Sequence, residues 1–97
     1  MDLPEEPSQP RPFLAERYLS ASAAEVLASL VDRDRAAARA MSIRHIQTIY
    51  VPADETCFTL FEAPSLEMVS ETSGRFGLGY RRVVAAIVIR SPQQESQ

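Results

Sequence analysis

Apolar and polar positions recur along the chain with two different periods, and their order predicts strand, helix, strand, strand, helix, strand. Phe13 to Leu19 is a short aromatic and aliphatic run bounded by Pro12 and Ser20, with the length of a strand. Ser22 and Glu25 then stand at capping-box spacing, which predicts a helix starting there. Val26, Leu27, Leu30 and Val31 recur at helical spacing and are continued by Ala37, Ala38 and Met41, leaving Asp32, Arg33, Arg35 and Arg39 for solvent. Ile43 to Val51 and Thr56 to Glu62 are rich in β-branched and aromatic residues. The turn residues Pro52 to Glu55 between them predict a hairpin. Pro64 and Ser65 open a second helix that aligns Leu66, Val69, Ser73 and Phe76 on one face, with Gly74 and Gly77 as left-handed exits. Val83 to Ile89 has no polar residue at either parity, as expected of a last strand covered on both sides and lying beside the first.

The resulting βαββαβ order is the split-βαβ, ferredoxin-like pattern: an antiparallel sheet of the α+β class. Right-handed crossovers place both helices on one face of that sheet. The other face is left bare, yet the last strand is apolar both ways, so a second copy is expected to cover it. Two sheets opposed in this way make a dimeric α+β barrel.

Length and composition narrow the picture further. Residues 12–90 form one domain, because 97 residues support a single core. Residues 1–11, with Pro4, Pro7 and Pro10 among polar neighbours, and the glutamine-rich residues 91–97 read as unordered tails. Ten basic and thirteen acidic side chains are interspersed, and a net charge of −3 makes no case for nucleic acid as a partner. The longest apolar run is far shorter than the ~20 residues that cross a bilayer, so no membrane partner is expected. The single Cys57 cannot form an internal disulfide and no signal-like segment opens the chain, which points to a reducing cytoplasm.

Three stretches resemble a known family when taken together: Phe13-Leu-Ala-Glu-Arg-Tyr-Leu19, then Asp54-Glu-Thr-Cys-Phe-Thr-Leu-Phe-Glu-Ala-Pro64, and the Gly77-Leu78 turn leading into Arg82-Val-Val84. They resemble a bacterial family of nickel-binding proteins of otherwise unknown function, over a span from about Phe13 to Ile89. The resemblance implies a ferredoxin-like fold, a homodimeric α+β barrel, and nickel or another divalent transition metal held in or near its central pore.

Several residues are candidates for that chemistry. His45 is the only histidine, and an imidazole on a strand is a borderline ligand that suits a nickel-like ion. If the turn pairs Val51 with Thr56, a regular ladder sets His45 opposite Glu62, close enough for a hydrogen bond or a shared ion. A one-residue bulge would separate them. Glu16 and Tyr18 lie two apart on the first strand and so share a face. The expected metal set is therefore His45, Glu16 and Glu62, with Tyr18, Gln47, Cys57 and Thr59 lining the pocket and no catalytic residue assigned. An imidazole simply satisfied by a carboxylate, and a Cys57 packed as a small hydrophobe, are the plain structural alternatives.

The function expected from all of this is that of a non-enzymatic, metal-binding homodimer. Two rivals remain open at this point. One is a cofactor-free monooxygenase or isomerase acting on a small apolar or aromatic molecule, and the other is an interaction module with no ligand.

Overall fold

The structure is a computed structural model that describes residues 9–91. The strands are β1 (Arg11–Tyr18), β2 (Arg44–Val51), β3 (Thr56–Ala63) and β4 (Arg82–Ala85), and the helices are α1 (Leu27–Ala40) and α2 (Leu66–Phe76). The sheet order is β2-β3-β1-β4, antiparallel at every pair, which is the ferredoxin-like arrangement. Most of both expected tails falls outside the described residues, although Arg11 belongs to β1.

Alternation divides the sheet into two unlike faces. Phe13, Ala15 and Arg17 of β1 and Cys57, Thr59, Phe61 and Ala63 of β3 are buried beneath the helices. Phe13, Ala15, Ala38, Ile43, Phe61, Ala63 and Val69 make the core there, flanked by Leu66, Met68, Tyr80 and Val83. Residues of the opposite parity have no helix over them.

The entry to α1 differs from the expected capping box. A 3₁₀ turn (Ala21–Val26) comes first, and its cap is Ser20, whose Oγ accepts from the Ser22 amide at 3.2 Å. The Glu55 carboxylate accepts from the Ala21 amide at 3.0 Å. The Ser22 amide and the Ser22 hydroxyl, 2.9 Å from Ser20 Oγ, are thus both engaged by Ser20 where the expected box would have turned them to Glu25. Glu55 adopts a left-handed conformation at φ 49°, and its carbonyl accepts from the Leu19 amide while its carboxylate also accepts from the Tyr18 hydroxyl. The second helix follows expectation more closely: Ser65 caps it through Met68 N, and Gly77 ends it at φ 61°.

Two further expectations are corrected. The last strand stops at Ala85 instead of running to Ile89. Its next residue, Ala86, donates to the carbonyl of Pro12 at 3.1 Å, and Pro12, lacking an N–H, cannot return the bond. Ile87 and Ile89 therefore leave the sheet almost fully exposed. In the hairpin, Val51 does pair with Thr56, but a bulge between His45 and Gln47 shifts the rest of the ladder by one. Arg44, not His45, faces Glu62, and His45 faces Phe61.

The covered side also holds a buried ion pair. Arg17 and Asp34 are 5% and 0% exposed, and the guanidinium meets the carboxylate through two bonds, of 3.2 and 2.9 Å. Arg17 also donates to the Leu78 carbonyl at 2.7 Å, and the Tyr80 hydroxyl donates to Asp34 at 2.7 Å. The guanidinium carbon lies 4.6 Å from the centre of the Tyr80 ring. Burial acts to lower the Arg17 pKa, but Tyr80 and Asp34 outweigh it, so the guanidinium is held charged more firmly than usual. Taking away one partner strands the other charge, and Asp34→Ala should cost about 3–5 kcal/mol in urea unfolding. Tyr80→Phe removes a single hydrogen bond to a charge and should cost about 1.5–3 kcal/mol. An Asp34→Ala loss smaller than the Tyr80→Phe loss would contradict this account of the pair.

Candidate functional site

The bulge in β2 decides which candidate residues can meet. Ahead of it, His45 points to the helix-covered side, where its ring stands edge-on to Phe61 at 5.9 Å between centroids. His45 Nε2 lies 2.9 Å from Thr48 Oγ1, which is 3.3 Å from Thr59 Oγ1. A polar thread thus runs from the strand edge into the sheet beside the Arg17–Asp34–Tyr80 cluster. Phe61 separates the His45 and Tyr80 rings, with Tyr80 also edge-on to it at 5.9 Å.

Burial lowers the His45 pKa from its ordinary 6.5; the nearby Arg35 charge acts the same way and Asp34 partly opposes both. The imidazole is therefore neutral at pH 7. Burial also pushes the Cys57 thiol up, against the pull of Arg17, so this buried cysteine stays protonated and packs as a small hydrophobe. Burial raises the Tyr80 phenol as well, which keeps it a hydrogen-bond donor to Asp34.

Glu16 and Glu62 lie on the other side of the sheet. Glu16 accepts from Arg82 and Glu62 from Arg44, at 3.3 and 3.2 Å. Along the β1–β3 ladder Glu16 faces Phe58 and Glu62 faces Pro12. Four residue steps separate these rungs, or ~13 Å at the usual strand rise. The expected trio of His45, Glu16 and Glu62 is thus split: the imidazole is on one side, and the two carboxylates are too far apart on the other to share an ion within one copy. Among the described residues no three His, Cys, Asp or Glu side chains come together as a metal would require. The expected pocket lining divides as well, with Tyr18 and Gln47 exposed on the uncovered face and Cys57 and Thr59 buried on the covered one.

The uncovered face is predominantly apolar. Leu14, Phe58, Leu60 and Val84 are half-buried, and Ile49 is more than half exposed. At one end a hollow of 440 Å³ is lined by Pro12, Ile46, Leu60, Glu62, Val88 and Arg90. Tyr18 and Ile49 lie open at the other end.

Sequence reasoning missed Arg17 and Asp34, although a signal for both was present. Asp34 falls within the apolar stripe of α1, one turn from Leu30 and Ala38, and Arg17 has the inward parity of Phe13 and Ala15. Two opposite charges at positions the pattern marks as interior imply a buried pair.

Fold and site together define a ferredoxin-like α+β domain with one helix-covered and one uncovered sheet face. A solved structure of the same architecture is SCO4226 from Streptomyces coelicolor A3(2), which matches with a TM-score of 0.70 at 20% identity, over 81% of this chain and 99% of that one. No family model and no curated protein matches the chain. Among the described residues no helix is long and apolar enough to cross a membrane.

A histidine whose pKa is lowered by folding stabilises the folded state fully above the unfolded pKa, and that contribution is lost as pH falls through the folded one. The His45 NMR titration should therefore have its midpoint below 6.5. The fall in stability below that pH should be shallower in His45→Gln; an equally steep fall in both proteins would assign the acid sensitivity to other groups.

Proposed function

We propose that the chain is a non-enzymatic binding protein that works as a cytoplasmic homodimer, two copies opposing their uncovered sheet faces around a ligand. The observation that carries this reading is the makeup of that face, where Leu14, Ile46, Ile49, Phe58, Leu60 and Val84 lie on strands with no helix above them. A second copy is a natural cover, because a two-fold axis matches each apolar patch with its own equivalent. Ile87 and Ile89, 87% and 86% exposed, support the same reading, since β-branched residues of a strand-like segment gain by burial against a partner.

A divalent transition metal, nickel by the family resemblance, is the ligand proposed. Because one copy does not assemble the donors, such an ion would draw on carboxylates of both, Glu16 or Glu62, with water completing an oxygen-rich set. His45 has no part in that set, since its side chain is across the sheet. The 440 Å³ hollow favours a second reading, in which the occupant is a small apolar molecule with Glu62 as the one titratable group at the wall, whether bound only or turned over.

Sedimentation equilibrium of the full chain should give a dimer at micromolar concentration, and Phe58→Glu, which sets a charge amid the apolar face, should give a folded monomer. Calorimetric titration of dialysed protein with nickel chloride should show saturable binding, weakened about tenfold or more by Glu16→Gln or Glu62→Gln and unchanged by His45→Ala. A wild-type monomer overturns the dimer. Absence of saturable nickel binding in a dimer removes the metal and leaves the apolar ligand, to be sought by mass spectrometry of the untreated protein.

A further inference from the structure

On the helix-covered side, away from the proposed dimer face, the end of α1 and the start of β2 enclose a cleft of 310 Å³ lined by Arg35, Ala38, Arg39, Ile43, Arg44 and His45. Four of its six lining residues are cationic or basic, in a chain whose net charge is −3. All ten positive side chains of the sequence are arginine, and three of them lie here beside the only histidine. We infer that this cleft is a binding site for a small phosphate monoester, the phosphate held between the Arg35 and Arg39 guanidiniums with the His45 ring beside it.

Three features support the inference. Arg35 and Arg39 are four residues apart on α1, a spacing at which like charges repel and lower helix stability. A bound dianion would turn that repulsion into attraction. The cations are also available. Among the described residues the Arg39 side chain forms no ion pair or hydrogen bond, and the Arg35 side chain reaches only Asp32, at 4.0 Å with both side chains exposed. Finally, a planar guanidinium fork matches the spacing of phosphate oxygens, and a set of arginines grips such a group better than the same number of point charges.

His45 joins the site as a neutral, oriented group. Asp34 and Arg35 of α1, Arg44 and Thr48 of β2, and Phe61 of β3 are the charged, polar and aromatic neighbours that bear on it. With Nε2 taken up by Thr48, the ring is fixed at the cleft wall. A dianion beside it favours the protonated form, so occupancy should raise the His45 pKa. As the only histidine, it reports on the cleft without assignment ambiguity.

The test is an NMR titration of the full chain with phenyl phosphate at constant ionic strength, read at the His45 ring resonances. A saturable shift is expected, with a higher His45 pKa in the bound state. Affinity should fall about tenfold or more in Arg35→Gln/Arg39→Gln and be unchanged in the distant control Arg81→Gln. A shift that is linear in concentration and matched by sodium chloride, or an Arg35→Gln/Arg39→Gln protein that binds as tightly as wild type, would overturn the site. A monomeric result in the sedimentation experiment leaves this outcome unaffected, because every lining residue belongs to one copy.

Discussion

The buried contact between Arg17 and Asp34 is the constraint on which the arrangement of this domain turns. It joins the middle of the sheet to the middle of α1, and through Leu78 and Tyr80 it adds the segment that leads into β4. Desolvating two charges is unfavourable, and only a near-complete set of partners offsets it. Here Asp34 accepts from both partners, while Arg17 leaves Nε alone without one. A fork meeting a carboxylate tolerates little sliding, so the pair sets the phase of α1 over the strands. That phase puts Arg35 and Arg39 above the start of β2, and the cationic cleft follows from it.

The two faces of the sheet depart from the usual contrast of greasy inside and polar outside. The covered side has an apolar core at one end and a polar band of Thr48, Thr59, Arg17, Asp34 and Tyr80 at the other. The uncovered side is apolar along most of its length and carries its charges at Glu16 and Glu62, each held by an arginine. The domain thus keeps specific polar contacts where its own helices can satisfy them, and offers a surface of simple hydrophobic character where they cannot reach.

Much of the fold could be read in the residue pattern, since strand and helix periods are properties of neighbouring residues. β1, both helices and the hairpin turn follow from runs such as Phe13 to Leu19 and Leu66 to Phe76. The misplaced features depend on partners distant in sequence. The end of β4 is set by Pro12, more than seventy positions away, and the Ala21 amide at the entry to the first helical turn is held by Glu55. The candidate site was harder to read still. Its expected trio assumed an unbroken ladder, and one extra residue near Ile46 was enough to part His45 from Glu62. Asp34, by contrast, could have been found, because an acid within an apolar stripe needs an opposite charge, and Arg17 was at hand.

That extra residue has a wider implication for what this scaffold can become. Were it accommodated two places nearer the beginning of β2, the imidazole would pass through the sheet and stand over Glu62. A substitution elsewhere in β2 that moved this single irregularity would then convert an arginine-flanked imidazole into a carboxylate-flanked one, changing ligand preference while both His45 and Glu62 stay as they are.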